Sequence, residues 1–236
     1  MLAPMSSDLD RPAPEPATVA VTGSASRWVP ADFADVSFTV ARQAATTGQA
    51  VAEAGEAYAA LDAALGAHGA VIVRRTTTSL SVREVVRYER ESGLAVREGF
   101  AASRTQSVRF LARSEAGDAL RAALAAVPEL IVGGPAFELD PANPVHALVR
   151  ADAAVAARAS AEAYAGGLGL ALDRVLRLWE PDRSDGAGYG GGGPRVMAKM
   201  LSAEPEGGDS VLVDLGPEDV EVTAEVELTV ALVEPS

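Results

Sequence analysis

The fold class of this chain is decided by residues Val220–Leu232, whose sequence is VEVTAEVELTVAL. Apolar residues stand at every second position, and glutamate or threonine occupies the positions between them as far as Thr229. A period of two predicts a β-strand with one apolar face and one acidic face. Such a strand requires a sheet that is covered on one side only, which antiparallel sheets tolerate and fully parallel sheets do not.

A helix of about six turns is predicted from Thr46 onward, because apolar residues there recur at steps of three and four. These residues are Val51, Ala54, Tyr58, Leu61 and Leu65. Thr46 or Thr47 is expected to cap the helix, and Gly66 and Gly69 are expected to end it.

Two further helices are predicted downstream. The first is short, is capped by Ser114 and is closed by Pro128. The second runs from about Asn143 to Tyr164 and ends at glycines 166 and 167. Small side chains on one surface of this third helix would permit close approach to a sheet. They are Ala147, Ala151, Ala154, Ala157 and Ala161.

Alternating apolar residues predict strands elsewhere in the chain. Their approximate bounds are 19–22, 36–40, two long strands between 71 and 111, 131–139 and 175–179. The two long strands are expected to form an antiparallel hairpin with a turn at residues 91–93. The chain is therefore predicted to be an α+β protein, with mostly antiparallel sheets and about three helices packed on one face.

The predicted domain organisation has three parts. Residues 1–17 hold prolines among acidic residues and are expected to be a disordered leader. Residues 18–233 form the folded domain, either as one body or as two interlocked subdomains. Within it, residues 182–216 are predicted to be a long, flexible, glycine-rich loop.

Composition excludes several classes of function. The net charge is −13, so the average surface repels nucleic acid and anionic lipid headgroups. Cysteine is absent, which excludes disulfides, thiolate nucleophiles and cysteine-ligated metals. The N-terminus lacks the pattern of a secretory signal, and no window approaches the roughly 18 apolar residues of a membrane span. We therefore expect a soluble, cytoplasmic protein.

Catalytic chemistry has little support in the sequence. A hydrolytic triad needs a histidine beside a nucleophile, and the chain offers only His68 and His146, both interpreted as solvated residues at helix ends. The segment Gly186–Arg195 lacks the lysine and hydroxyl of a phosphate-binding loop. Asp182 and Asp185 do not form the alternating carboxylate series of a calcium loop. We predict no catalytic residue, no cofactor and no metal.

An apolar cluster inside the predicted loop is the candidate oligomer interface. It consists of Val196, Met197, Met200 and Leu201. Methionines in a mobile segment suit adaptable interfaces. The alternative is that this cluster packs on its own domain.

Arginines along the predicted hairpin are interleaved with glutamates. The arginines are Arg83, Arg87, Arg90, Arg97, Arg104 and Arg109, and the glutamates are Glu84, Glu89, Glu91 and Glu98. Cross-strand ion pairs are the favoured interpretation. The alternative is that the hairpin meets an acidic face, such as that of the last strand, on another subunit.

Several strings in the chain occur together in one known family. They are VTGSAS at Val21–Ser26 followed by Pro30 and Asp32, EGFAASRTQSVRF at Glu98–Phe110, and ADAAVAARASAEAYAGGLGLALDRVLRL at Ala151–Leu178. With these strings, the chain from Thr18 to Val233 resembles the SIMPL-domain family, found in bacterial envelope proteins and in a mammalian adaptor associated with a Pelle-like kinase.

The resemblance implies a mixed fold without established catalytic residues. Some bacterial members of that family form large ring-like or channel-like homo-oligomers. The chain departs from the envelope members because it shows no signal sequence, and because its segment Asp182–Gly216 is rich in glycine rather than in proline and methionine.

Two functional hypotheses follow. The leading one is a non-enzymatic, self-assembling homo-oligomer with a stress-related or scaffolding role, which predicts a mass far above that of the monomer. The main alternative is a monomeric or dimeric adaptor module that binds another protein. An enzyme ranks third, because catalysis would require carboxylates with shifted pKa values in a cleft.

Overall fold

The computed structural model describes residues 17–88, 95–181, 195–198, 215–216 and 218–235. The α-helices in this part of the chain are α1 (Thr47–Gly66), α2 (Ser114–Ala126) and α3 (Val145–Gly167). The strands are β1 (Thr18–Pro30), β2 (Phe33–Ala44), β3 (Ile72–Thr77), β4 (Ser81–Tyr88), β5 (Ala95–Leu111), β6 (Ile131–Glu138), β7 (Ala171–Trp179), β8 (Arg195–Ala198) and β9 (Asp219–Val233). Three helices with antiparallel sheets confirm the predicted α+β class.

The elements form two compact units, each assembled from separate stretches of the chain. The first unit comprises Met1–Arg27, Pro144–Arg195 and Val222–Ser236. The second comprises Trp28–Asn143 and Val196–Glu221. Folding of residues 18–233 as one domain or as interlocked subdomains stays a prediction.

The second unit is built on a sheet with strand order β3-β5-β2-β6, in which β4 also pairs with β5. All of these pairs are antiparallel. The apolar face of the sheet is covered by α1 and α2. The largest buried side chains of this core are Phe38, Phe110, Leu61, Leu65, Leu120 and Leu215, with Val36, Val40 and Val108 beside them. The rings of Phe38 and Phe110 pack edge to face with centroids 6.4 Å apart, an arrangement that aromatic pairs favour.

Helix α1 confirms the prediction made for it. Thr46 is the N-cap, and its hydroxyl accepts a hydrogen bond from the amide of Gln49, which satisfies one of the free amides of the first turn. The helix ends at Gly66 and buries one apolar stripe against the sheet. The buried residues are Ala50, Ala54, Leu61 and Leu65. The hydroxyl of Tyr58 shares a 2.8 Å hydrogen bond with that of Thr77 in β3.

The predicted hairpin between residues 71 and 111 was wrong in one respect, because its first strand is divided. Strands β3 and β4 both pair with β5, and residues 78–80 interrupt them. The amide of Thr78 donates to the carbonyl of Thr105, and the Thr78 hydroxyl bonds both the amide and the carbonyl of Thr105. A threonine side chain that replaces ladder bonds in this way competes with the regular strand. The predicted turn at 91–93 lies outside the described residues.

The other sheet has the strand order β1-β9-β7, and β8 also pairs with β9. Helix α3, strand β7 and most of β1 and β9 belong to the first unit. Strand β9 confirms the predicted alternation. Its buried residues as far as Val230 are Val220, Val222, Ala224, Val226, Leu228 and Val230, and Ala231 and Leu232 after them are also buried. Strands β7 and β9 are antiparallel.

Strand β1 runs to Pro30 and does not end at Gly23 as predicted. Gly23 lies inside the strand, at the point where α3 approaches the backbone of β1 closely. A Cβ atom at Gly23 would stand 2.7 Å from the Cα of Ala157, and closer still to the amide nitrogen of Ala157 and the carbonyl oxygen of Ala153. A glycine inside a strand often marks such an approach.

The small-residue contact predicted for α3 is confirmed at Ala157 and Ala161, but the rest of the packed face consists of other residues. The buried residues are Val145, Val149, Ala153, Ala157, Ala161 and Ala165, whereas Ala147 and Ala151 are exposed and Ala154 is half-buried. Alanines occur on several sides of this helix, so their positions alone do not identify the packed face.

Two smaller predictions also differ from the structure. Ser114 is the first residue of α2, and Arg113 holds the N-cap position without a side-chain bond to the helix. The segment 182–216 was predicted to be a loop, yet Arg195–Ala198 form β8, and Leu215 is buried in the core of the second unit. The other residues of that segment, except Gly216, lie outside the described residues, as do residues 1–16 of the predicted leader.

Candidate interaction surface

Strand β7 lies at one end of the sheet of the first unit. Within the described part of the chain it is hydrogen-bonded on one side only, to β9. The pairing shifts register between Leu172 and Val175 and again between Val175 and Arg177. An open strand edge presents unpaired backbone amides and carbonyls, which can pair with another chain.

The register places three residues of β7 on the same face as the buried residues of β9. Leu172, Val175 and Leu178 stand opposite Leu232, Val230 and Leu228. Val175 and Leu178 are 61% and 58% exposed, whereas Val230 and Leu228 are only 2% and 4% exposed. The apolar face of this sheet is therefore buried along β9 and exposed along β7.

Further apolar side chains enlarge the exposed area of the first unit. On β7 and β9 they are Leu176, Trp179 and Val233. A guanidinium lies over one of these rings, since the Arg177 Cζ is 5.4 Å from the centroid of Trp179. Exposed apolar side chains grouped along one strand edge are a feature of interaction sites in soluble proteins.

The charged side chains of β7 are exposed and form no ion pair within the described part of the chain. Asp173, Arg174 and Arg177 form no ion pair with the described residues. Charges on an edge strand oppose indiscriminate pairing, and they also determine which strand can pair there and in which register.

The side chains of the cluster predicted as an oligomer interface lie outside the described part of the structure. Val196 and Met197 belong to β8, which pairs with β9, but their side chains are not described. Met200 and Leu201 lie outside the described residues. The role of this cluster stays a prediction.

The two histidines lie in different units. His68 is half-buried in the turn after α1, where its amide donates to the carbonyl of Leu65. His146 is half-buried in the first turn of α3. Both helix-end positions agree with those predicted from the sequence. Asp182, Asp185 and the glycine-rich run from Gly186 lie outside the described residues.

The favoured interpretation of the hairpin arginines is confirmed for two of them. Arg87 pairs with Glu98 at 2.8 Å, and Arg97 pairs with Glu84, in both cases across β4 and β5. Arg104 instead lies over the ring of Tyr58, with its Cζ 4.3 Å from the centroid. The glutamates interleaved along the hairpin thus neutralise part of its positive charge.

Among the residues that the structure describes, no group of three or more histidine, aspartate or glutamate side chains is placed to hold a metal ion. None of the helices in those ranges is long and apolar enough to cross a membrane.

The surface around β7 was not found by sequence reasoning. Its signal is the string Val175–Trp179, in which Leu176, Leu178 and Trp179 flank one arginine. That string predicts a strand, but it does not show that the strand lies at an edge or that its apolar side chains stay exposed. Both properties depend on the order of strands in the sheet.

Comparison with known proteins identifies the family to which the chain belongs. No curated protein matches the sequence. The profile of one family, described as SIMPL, protein of unknown function (DUF541), matches residues 19–230, which is nearly the whole chain. This chain belongs to the SIMPL family.

Proposed function

We propose that this protein is a non-enzymatic, self-associating member of the SIMPL family, and that two copies meet at the β7 edge. One observation carries the proposal: Val175 and Leu178 stay largely exposed on a sheet face whose neighbouring residues are fully covered. Burial of such side chains contributes about 1.5–3 kcal/mol each when complete. A second sheet that continues this face would bury them.

The sequence of β7 is complementary to itself in one antiparallel register. If Val175 stands opposite Val175 of a second copy, Asp173 stands opposite Arg177 and Leu172 stands opposite Leu178. Opposite charges and apolar pairs across antiparallel strands each contribute about 0.2–1 kcal/mol. Each pair occurs twice about the two-fold axis, as an isologous interface requires. This register supports a second copy as the occupant of the edge.

Light scattering during gel filtration tests the proposal on the full chain. The wild type is expected at a multiple of the 24.2 kDa monomer mass, and Val175→Asp is expected to shift it to the monomer, because a carboxylate would have to be buried without a partner. Val155→Asp is the matched control, since Val155 is 68% exposed on α3 of the same unit. Its mass should equal that of the wild type.

A charge exchange tests the register itself. Asp173→Arg should weaken association because it places arginines opposite each other, and adding Arg177→Asp should restore it. If the wild type associates and Val175→Asp associates equally well, the β7 interface is wrong. If the double variant is as weak as the single one, the antiparallel register centred on Val175 is wrong.

A protein-binding adaptor is the second candidate. The same open edge would accept an extended segment of a different protein by strand addition, with main-chain hydrogen bonds supplying affinity. A wild type that stays at the monomer mass at high concentration would favour this function over self-association. A scaffolding or stress-related role belongs to the first candidate.

A further inference from the structure

A second surface feature lies on the polar face of the five-stranded sheet, opposite the face that α1 and α2 cover. A concavity of about 430 Å³ opens there. Two rows of side chains cross β2, β5 and β3 along its floor. The first row is Asp35, Arg109 and Arg74, and the second is Ser37, Ser107 and Thr76. All six belong to the second unit, so this site is independent of the β7 edge.

Two arginines stand directly opposite each other in the first row, and only one of them is neutralised. The Arg109 Nε donates to Asp35 at 2.9 Å, and its Nη2 also bonds Asp35 and Glu138. The hydrogen bond to Asp35 raises the pKa of Arg109, and the charges of Asp35 and Glu138 raise it further against the cost of desolvation. Arg109 is therefore held as a permanent cation.

Arg74 has no such compensation. It forms no hydrogen bond, ion pair or ring contact with the described residues, although it lies across the ladder from Arg109. Like charges directly opposite each other in a sheet are unfavourable for folding. The pair becomes favourable when an anion lies between or above the two guanidinium groups, because a guanidinium offers paired donors to a carboxylate or phosphate.

The second row supplies neutral donors beside Arg74. The Ser37 hydroxyl donates to the carbonyl of Gly133, whereas the hydroxyls of Thr76 and Ser107 make no hydrogen bond with the described residues. Both hydroxyls line the same concavity. A hydroxyl can rotate its proton toward an anion, so the two hydroxyls complete a donor set around the Arg74 guanidinium.

We propose that this concavity binds a small oxyanion, a carboxylate or a phosphate, through the guanidinium of Arg74 and the hydroxyls of Thr76 and Ser107. The carboxylate of Asp35 lines the same space and repels additional negative charge. A monoanion is therefore preferred to a dianion. The residues have a binding role, and no reaction is assigned to them.

Calorimetric titration of the full chain at low ionic strength tests the site, with sodium acetate and inorganic phosphate as separate probes and sodium chloride as the reference. At least one oxyanion should bind saturably at one site per chain. Acetate should bind more tightly than phosphate at pH 8, where phosphate is mainly a dianion. Arg74→Gln should weaken binding about tenfold or more, the loss typical of a charged hydrogen-bonding partner.

Arg83→Gln is the matched control. Arg83 is an exposed arginine of β4 outside the concavity, so its loss removes the same charge and should change affinity less than twofold. Ser107→Ala should weaken binding by a few fold. Arg74→Gln should unfold at the same temperature as the wild type or higher, because it removes a like-charged pair, and this separates lost binding from lost folding.

Three results would overturn the proposal. The first is a wild type that binds neither oxyanion saturably, and the second is equal weakening by Arg74→Gln and Arg83→Gln. The third is a change of particle mass in Arg74→Gln without loss of anion binding, which would assign Arg74 to a contact between copies. Light scattering on the same samples reports that mass.

Discussion

Substitution of Gly23 by alanine should destabilise the protein strongly. The position lies on β1, where α3 passes so closely that the new Cβ would overlap backbone atoms of Ala153 and Ala157. Backbone atoms of a regular helix cannot rotate away as a flexible side chain can. The methyl group therefore has to be accommodated by movement of α3 relative to β1.

The size of the effect follows from that movement. A Cβ atom added at Gly23 would lie 2.7 Å from the Cα of Ala157. Helix α3 would have to move away from β1 by about 1 Å to restore ordinary van der Waals contact. A gap of that size forfeits about a quarter to a half of each contact energy along the interface, where Ala153, Ala157 and Ala161 are fully buried. We expect a loss of about 3 kcal/mol, the upper part of the range for overpacking.

Thermal unfolding followed by circular dichroism gives the measurement. For a chain of 236 residues, a loss of about 3 kcal/mol lowers Tm by roughly 6–12 °C. Gly55→Ala is the matched control, because Gly55 lies in the middle of α1 with no atom near its missing Cβ. That variant should gain about 1 kcal/mol from helix propensity. A Tm for Gly23→Ala within about 1 °C of the wild type would refute the close contact of β1 and α3.

Three further substitutions probe the second unit, each measured by urea denaturation. Phe38→Ala removes one ring of the buried edge-to-face pair and should cost about 3–5 kcal/mol; a cost below about 1 kcal/mol would contradict that packing. Thr46→Ala removes the N-cap bond to Gln49 and should cost about 1 kcal/mol, whereas Thr46→Ser should restore most of it. Gly99→Ala places a Cβ against the carbonyl of Ala44 at a φ of +143°, and we expect a loss of about 2–3 kcal/mol; an unchanged denaturation midpoint would show that the chain does not adopt this conformation there.

Elements with a strong period were predictable because their burial is set by the sequence itself. In β9, every second residue from Val220 to Val230 is apolar, and these residues are buried while those between them are not. In α1, the N-cap residue Thr46 lies directly before the stretch with apolar residues at helical spacing, so the cap and the spacing both predict the same helix start. Local preference and tertiary packing coincide in both elements.

Other features depended on information that a linear pattern does not contain. The break at Thr78 arises from a side chain that bonds Thr105 on a neighbouring strand. The packed face of α3 is set by Gly23, about 130 residues earlier in the chain, because only there can the helix backbone approach the sheet. Neither partner is identifiable until the strand order is known.

The candidate sites were harder to predict for the same reason. Val175 and Leu178 have the composition of core residues, and only the position of β7 at the end of a sheet leaves them uncovered. Arg74 was not among the arginines singled out on the hairpin, because its unusual property is the identity of its cross-strand neighbour. A register shift between Ile72 and Arg74 brings it opposite Arg109, and β-bulges of this kind re-aim side chains.

Both units thus contain a feature that folding of one copy does not explain. In the first unit, Val175 and Leu178 are exposed, although their burial would stabilise the chain by about 1 kcal/mol or more for each side chain. In the second, Arg74 stands opposite Arg109 and has no carboxylate partner of its own among the described residues. Local violations of folding rules tend to occur at functional sites, where the missing stabilisation is supplied by a partner or ligand. The two features differ in chemistry, one apolar at a strand edge and one cationic on a sheet face, so association and anion binding should respond to separate substitutions.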